Sequence, residues 1–200
     1  MRAYAQRRFG VADPVLIESV PAQLEQVLNF ELGVLPGVRH RECEIADRVW
    51  IGGAQTSFPG HMHLWPGVES FAIFFQPTGW SELFGVPMNE ITNRLYDASA
   101  VVGPCVTVLW NQLGEASSFE QRITIVEELL LNCRPCRLAQ HRMMATASYL
   151  FALRGMVRIP ALGQPHSLSL RQFEKLGRNS PTRLIAQMGD VHPPALASAA

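Results

Sequence analysis

Two histidines, His61 and His63, alternate along the segment GHMHLW. Residues two apart on a β-strand point to the same side, so the pair could offer two nitrogen ligands to one metal ion. No third ligand is evident nearby, and the alternative is a pair of histidines on a solvated strand face. We expect no metal here, which leaves a small cupin-type metalloenzyme as the weakest functional hypothesis.

A second candidate metal site is the segment CRPC, with Cys133 and Cys136, followed by His141. Thiolates separated by two residues can share one tetrahedral zinc ion, but a structural zinc site takes four ligands. No further cysteine or histidine pair follows at a suitable spacing. The sequence therefore favours a structural or incidental role for these residues over a zinc site.

Motifs of nucleophilic or phosphate chemistry are absent from the sequence. It contains no Gly-x-Ser-x-Gly, no Walker A loop and no paired carboxylates in an apolar setting. We therefore expect that the protein is not an enzyme and that it uses no cofactor.

Large aromatic residues concentrate in the first part of the chain. They are Trp50, Phe58, Trp65, Phe71 and Phe75. An aromatic-lined cavity could hold a small apolar or aromatic molecule, and the alternative is that these side chains only fill the core. We take Trp50, Trp65, Phe71 and Phe75 as the candidate ligand pocket.

A third candidate site is the segment HSLSLRQFEKLGRNSPTRL, residues 166–184. Ser169 is a favourable N-cap, and Gln172, three residues later, can close a capping box. The pattern predicts a helix that turns Leu170 and Phe173 inward. The shorter segment and turn in RIPALGQPHSL precede it, which is the order of a helix-turn-helix.

The outward side chains of this predicted helix suit contact with DNA. Arg171 and Gln172 can hydrogen-bond to base edges, whereas Lys175, Arg178 and Arg183 suit phosphates. An ordinary surface helix carrying arginines is the alternative. We take these five residues and Ser169 as candidate DNA-binding residues.

The distribution of charge agrees with a polyanionic partner, although the formal net charge of the chain is zero. Residues 137–190 contain eight basic and two acidic residues, a net charge of +6, so the remainder carries −6. This asymmetry indicates that the C-terminal third meets phosphate while the N-terminal part does other work.

The secondary-structure elements that position these residues follow a simple order along the chain: predicted strands come first and predicted helices follow. Strands are predicted at PVLIESV (14–20), QVLNFELG (26–33), DRVWIGG (47–53), GHMHLWPG (60–67) and ESFAIFFQP (69–77), with Gly and Pro turns between them. Along the last of these, Phe71, Ile73 and Phe75 should alternate in burial with Ala72 and Phe74, with at least one set facing a cavity that admits a small molecule. Residues 1–13 show no clear periodicity and are interpreted as a loose lead-in.

Four segments have helical periodicity or cap signals. They are VPMNEITNRLYDA (86–98), GPCVTVLWNQLG (103–114), SSFEQRITIVEELLLNC (117–133) and RLAQHRMMATASYLFALRG (137–155). In the third, Ser117 is the predicted cap and Glu120 follows it by three residues. Strands followed by helices are the order of an α+β chain or of two fused modules.

Composition places the chain among compact proteins of a reducing compartment. Its 200 residues, 48% of them hydrophobic, can bury a core for one domain and a smaller appendage. The four cysteines form no disulfide framework, and the sequence begins with no recognisable signal peptide. No apolar run approaches the roughly 20 residues of a membrane helix. We expect a soluble, cytoplasmic protein.

The segment SLSLRQFEK...GRNSPTRL resembles the first helix-turn-helix of AraC-type (AraC/XylS) transcriptional regulators. The residues that match positions of the family's sequence motif are Ser169, Phe173, Lys175 and the tract 177–181. The block FAIFFQPTGWSELFGVP, within residues 49–103, is similar to the sensor-type domain that precedes this module in one bacterial branch. The resemblance implies that a ligand or partner on the sensor domain alters dimer geometry and hence the placement of recognition helices on DNA.

The chain departs from the family pattern in its last third. Members carry two helix-turn-helix units, and this sequence ends after the first. The recognition helix is shorter than in the family, and ALGQPH places Gly and Pro where the preceding helix should run. We expect a truncated module that binds DNA only weakly, in the non-specific range of about 10⁻⁴–10⁻⁶ M.

These observations predict an α+β protein with an N-terminal antiparallel β-rich (cupin-like) domain, a helical connector and a partial helix-turn-helix. The predicted divisions are a sensor-type domain over 14–115, the connector and truncated module over 117–190, and a tail over 191–200. The expected function is transcriptional regulation, with DNA, an unidentified small-molecule effector and a second copy of the chain as partners. The alternative is a stand-alone ligand-binding or dimerisation module that has lost sequence-specific DNA binding.

Overall fold

The computed structural model describes residues 3–20, 23, 25–40, 43–44, 47–55, 60–76 and 79–132. The chain divides into two units between Ala139 and Gln140, and all of the described residues belong to the first. The predicted helix over 137–155 and the predicted helix-turn-helix therefore lie outside the described residues.

The described residues form nine strands and five helices. The strands are β1 (Ala3–Arg8), β2 (Leu16–Val20), β3 (Gln26–Glu31), β4 (Gly37–His40), β5 (Cys43–Glu44), β6 (Val49–Gly52), β7 (Gly60–Leu64), β8 (Glu69–Phe75) and β9 (Leu95–Asp97). The helices are α1 (Gly79–Phe84), α2 (Met88–Ile91), α3 (Ala98–Val102), α4 (Cys105–Glu115) and α5 (Phe119–Asn132). Apart from β9, which follows α2, this is the strands-then-helices order that the sequence predicts, and the described part of the chain is an α+β structure.

The strands make two antiparallel sheets. The first, sheet A, has the order β1-β8-β3-β6-β9, and the second, sheet B, has the order β2-β7-β4-β5. The five predicted strands are all present, as β2, β3, β6, β7 and β8. Their Val, Ile and Phe content suits pleated, half-buried surfaces, which is why the pattern located them.

The main core lies between one face of sheet A and the helices. Phe30, Ile51, Phe71 and Phe75 are all fully buried there, and Trp80 of α1 packs edge-on against Phe75 with ring centroids 5.2 Å apart. Burying a side chain of this size contributes about 1.5–3 kcal/mol to folding. The core therefore fixes which face of sheet A is turned toward the helices and which is turned away.

The interpretation of residues 1–13 as a loose lead-in was wrong. Residues 3–8 form β1, which pairs with β8 in the register Ala3 with Phe74 through Arg8 with Glu69. The strand has little hydrophobic pattern of its own because most of its side chains are exposed. Its order comes from hydrogen bonds to the edge of β8, a partner more than 60 positions away in the sequence.

The predicted helix over 86–98 was wrong in its second half. Helical structure ends at Ile91, Asn93 takes a left-handed conformation with φ 57°, and residues 95–97 form β9 against β6. The amide of Gly53 donates to the carbonyl of Arg94 at 3.0 Å, which continues this pairing. Edge pairing with sheet A thus outweighs the helical periodicity of the segment.

The next two predicted helices are confirmed as α4 and α5. The cap of α5 lies one residue later than predicted, because the hydroxyl of Ser118 accepts from the amide of Gln121 at 3.1 Å. The Gln121 side chain in turn accepts from the amide of Ser117 at 2.8 Å. Helix α5 is tied to β8 by Arg122, whose Nη1 lies 2.7 Å from Oε1 of Glu69.

Within the described residues, no helix has both the length and the apolar character that crossing a bilayer requires.

Candidate ligand-binding cavity

A cavity of about 240 Å³ lies between the two sheets, on the face of sheet A that is turned away from the helices. Sheet A contributes Val27, Asn29, Glu31, Trp50, Ser70, Ala72 and Phe74 to its walls, and sheet B contributes Glu18, Ser19, Met62 and Leu64. Ala5, Glu18 and Ser19 are exposed residues of the wall, so the cavity reaches the surface beside them. We call this end the mouth.

Alternation along β8 creates the cavity. Phe71, Ile73 and Phe75 are buried in the core against the helices, whereas Ser70, Ala72 and Phe74 line the cavity. The predicted alternation in burial is found only in part, because Phe74 is half-buried but Ala72 is buried like Phe71 and Ile73. One set does face a cavity, as predicted. Because Ser70 and Ala72 are small, this face of the sheet leaves space that the other face fills with aromatic rings.

The four residues of the predicted pocket lie in different places. Trp50 lines the cavity. Phe71 and Phe75 face the helices instead, because odd-numbered residues of β8 point into the main core. Trp65 follows β7 and packs over Gly37, where a Cβ atom would lie 2.7 Å from its ring; it is half-buried and forms no part of the cavity wall. Phe58 lies outside the described residues.

The polar centre of the cavity is Glu31, the last residue of β3, which is only 1% exposed. Its Oε1 accepts a hydrogen bond from Nδ2 of Asn29 at 2.7 Å and another from Nε1 of Trp50 at 3.0 Å. The backbone carbonyl of Glu31 accepts from Nε1 of Trp110 in α4 at 2.8 Å, which fixes the end of the strand. The bonds from Asn29 and Trp50 therefore orient the carboxyl group, and the bond from Trp110 fixes the backbone that carries it.

The second carboxyl oxygen, Oε2 of Glu31, is buried and has no hydrogen-bond partner among the described residues. Leaving a buried polar atom without a partner costs about 1–3 kcal/mol, and more when it is charged. Because Glu31 is one of the residues that line the cavity, a donor group on a bound molecule would supply the partner that this oxygen lacks.

Burial raises the pKa of Glu31 from an ordinary value of 4.5 to about 7. The hydrogen bonds from Trp50 and Asn29 and the positive charges of Arg7 and Arg48 act in the opposite direction and offset part of the effect. Desolvation dominates because the low-dielectric surroundings disfavour the charged form. Near neutral pH the group therefore exchanges between an acceptor-only carboxylate and an acid that can also donate.

A salt bridge lies at the mouth of the cavity. Nη2 of Arg7 is 2.8 Å from Oε2 of Glu18, and both side chains are partly exposed. Nη1 of Arg7 also donates to Sδ of Met62 in β7 at 2.8 Å. The pair joins β1 of sheet A to β2 of sheet B across the opening, so that the two charges largely neutralise one another.

Among the described residues, the candidate metal ligands His61 and His63 are not joined by a third ligand. His61 and His63 share one side of β7, and both are exposed on the face opposite to Met62 and Leu64, which line the cavity. Across the part of the chain that the structure describes, no three His, Cys, Asp or Glu residues are grouped to hold a metal ion. Cys133, Cys136 and His141 lie outside that part.

The predicted DNA-binding residues also lie outside the described residues. They are Ser169, Arg171, Gln172, Lys175, Arg178 and Arg183. Their roles stay predictions from the sequence.

Glu31 is not among the site residues predicted from the sequence, although the sequence carries a signal for it. In QVLNFELG the polar residues Asn29 and Glu31 occupy alternate positions of a strand whose other face is apolar. An acidic residue inside an apolar strand belongs on a solvated face or in a polar site. Only the packing of sheet B over that face shows which of these applies.

Comparison of the sequence with models of protein families gave no match, and the search of curated proteins gave none either. The cavity and the residues that line it are therefore the basis of the proposal that follows.

Proposed function

We propose that the first unit of this chain is a sensor domain that binds a small, largely apolar molecule between its two sheets. The observation that carries the proposal is the cavity of about 240 Å³ with the buried Glu31 in its wall. An apolar cavity of roughly 150 Å³ is enough to bind benzene. Small-molecule sites are concave, mostly apolar and supplied with a few oriented polar groups, and this cavity has each of these properties.

The packing of the two faces of sheet A supports a binding role over a purely structural one. The face toward the helices is closed by large side chains such as Phe30 and Phe71, which are fully buried. The opposite face carries Ala72 and Ser70 beside a buried carboxyl group. A protein that needed only stability would gain by filling this space with apolar side chains.

We further propose that the sensor belongs to a cytoplasmic transcriptional regulator of AraC type, with a cupin-like β domain and a partial helix-turn-helix. Two sequence observations support this: the resemblance of residues 166–184 to the family's recognition segment, and the net charge of +6 over residues 137–190. Ligand binding would then change the geometry of a dimer and so its contact with DNA. The alternative is a ligand-binding or dimerisation module without sequence-specific DNA binding.

Ligand-observed NMR with the full chain tests the sensor proposal. The probes are aromatic fragments of about eight to twelve non-hydrogen atoms. This size is scaled up from benzene in proportion to the volume of the cavity, since roughly 150 Å³ is enough for benzene. Ala72→Leu should abolish binding because the added carbons occupy the cavity, whereas Ala100→Leu, on the exposed side of α3, should leave it unchanged. Absence of binding by all fragments, or equal binding by both variants, would contradict the proposal.

A gel-shift titration with promoter DNA tests the regulator proposal. Replacing Arg171 or Gln172 by Ala should weaken specific binding by about 1–3 kcal/mol if they reach base edges. Replacing Arg178 or Arg183 should weaken binding to all sequences alike and reduce its salt dependence. A chain without selectivity at any concentration would favour the alternative of a stand-alone module.

A further inference from the structure

The charged residues of the cavity wall do not balance. Among the described residues, three charged side chains line it: Arg7, Glu18 and Glu31. Arg7 and Glu18 are joined by a 2.8 Å salt bridge at the mouth, so within the described part of the wall the charge of Glu31 is the one left without an ion-pair partner.

Arg48 is the other cation near Glu31, and it is engaged elsewhere. It is exposed, donates through Nη1 to the carbonyl of Gly33, and lies 5.8 Å above the ring of Trp110. It is not a residue of the cavity wall. A buried carboxylate that lacks a paired cation is costly, and a bound cation can remove that cost.

We propose that the cavity binds a compact organic cation, an ammonium group on an apolar or aromatic body, whose N–H donates to Oε2 of Glu31. This inference rests on the proposed sensor function and specifies the chemical class of its ligand. The oxygen is already oriented, because Asn29 and Trp50 hold Oε1 on the other side of the same group. The ammonium therefore meets a fixed acceptor and pairs a charge that the wall leaves unpaired.

The remaining wall suits the apolar body of such a ligand. Val27, Leu64, Val68, Ala72 and Phe74 line the cavity around the carboxyl group. An anionic ligand would be repelled by Glu31, and a neutral alcohol would satisfy the oxygen without neutralising its charge. Charge therefore selects among molecules of equal size and shape.

The titration of Glu31 provides a second test of the contact between the ammonium group and Oε2, through the pH dependence of the affinity. Because burial raises its pKa to about 7, an ammonium ligand must displace a proton at lower pH. Arg7 and Arg48 act on this group from β1 and from the residue preceding β6, and Glu18 faces the cavity from β2. Affinity for a cation should rise with pH up to about 7 and then level off.

Isothermal titration calorimetry on the full chain with three probes of matched size tests the proposal: benzylamine, benzyl alcohol and benzoate. At about pH 8, benzylamine should bind at least about tenfold more tightly than either other probe. Glu31→Gln should reduce benzylamine affinity by about tenfold to a hundredfold, since it removes a charge-assisted hydrogen bond, and should spare benzyl alcohol. Glu120→Gln, an acid-to-amide change on the exposed face of α5, is the matched control and should bind as the native chain does.

The outcomes separate this inference from the function on which it rests. If benzyl alcohol or benzoate binds as tightly as benzylamine, the cavity is a binding site but the ligand is not a cation. If none of the three binds, both proposals are overturned. Should Glu31→Gln fail to fold, the ranking of the probes and the pH dependence in the native chain still decide, and a benzylamine affinity independent of pH between about 5 and 8 would contradict the inference.

Discussion

Burial of Glu31 should make the stability of the first unit fall as the pH rises. In the unfolded chain this carboxyl group ionises near 4.5, whereas in the folded chain it keeps its proton until about pH 7. Between these values the folded state binds more protons than the unfolded state, so the free energy of unfolding decreases with increasing pH. Its contribution is complete below about pH 4.5 and lost above about pH 7.

The magnitude follows from the difference between the two pKa values. From 4.5 to about 7 the difference is about 2.5, and each pH unit is equivalent to about 1.36 kcal/mol, so the change is about 3 kcal/mol. Glu31→Gln removes the ionisation and retains the shape of the side chain. The variant should match the native chain near pH 4.5 and exceed it by about 3 kcal/mol near pH 8.

Urea unfolding followed by tryptophan fluorescence measures this difference in the unit concerned. All four tryptophans of the chain belong to it: Trp50, Trp65, Trp80 and Trp110. Comparing native chain and variant at each pH cancels the titration of other groups, such as Glu69, for which burial is outweighed by hydrogen bonds from Arg8 and Arg122 that lower its pKa. A native-minus-variant difference that stays constant between about pH 5 and pH 8 would refute the reasoning.

Two further predictions test the packing around sheet A. Arg122→Met should destabilise the unit by about 1–3 kcal/mol, because it leaves the buried carbonyl of Leu113 without its side-chain donor and removes one of the two cations that contact Glu69. Arg8→Met is the exposed control and should cost far less; equal losses would contradict the burial argument. Gly53→Ala should cost about 1–3 kcal/mol or prevent folding, because its Cβ would lie 1.6 Å from the carbonyl oxygen of Ile91. Gly114→Ala, in open space on α4, should instead stabilise by up to about 1 kcal/mol, and a gain at both glycines in thermal unfolding would be inconsistent with the structure.

The local pattern of the sequence was sufficient to predict the strands and helices with strong periodicity. The aromatic and β-branched content of ESFAIFFQP predicts β8, the two-residue period of a strand separates its two faces, and apolar spacing predicts α4 and α5. These features depend on the residue periodicity within one segment, so the residues of that segment are enough to predict them.

Elements that depend on distant partners were not predictable in the same way. Strand β1 forms because its backbone pairs with β8, and β9 forms because it pairs with β6, against a helical pattern in its own sequence. Edge strands have weak side-chain patterns, since hydrogen bonds to the neighbouring strand provide their order.

The order of residues in QVLNFELG by itself determines that Asn29 and Glu31 share one face of a strand, opposite Leu28 and Phe30. Only the tertiary structure decides that sheet B covers that face, that small residues of β8 leave a cavity between the sheets, and that one carboxyl oxygen is buried without a partner among the described residues. Side-chain direction is a property of the local backbone, whereas desolvation depends on every segment that packs above a residue. The same glutamate would be an ordinary surface acid if β2 and β7 lay elsewhere.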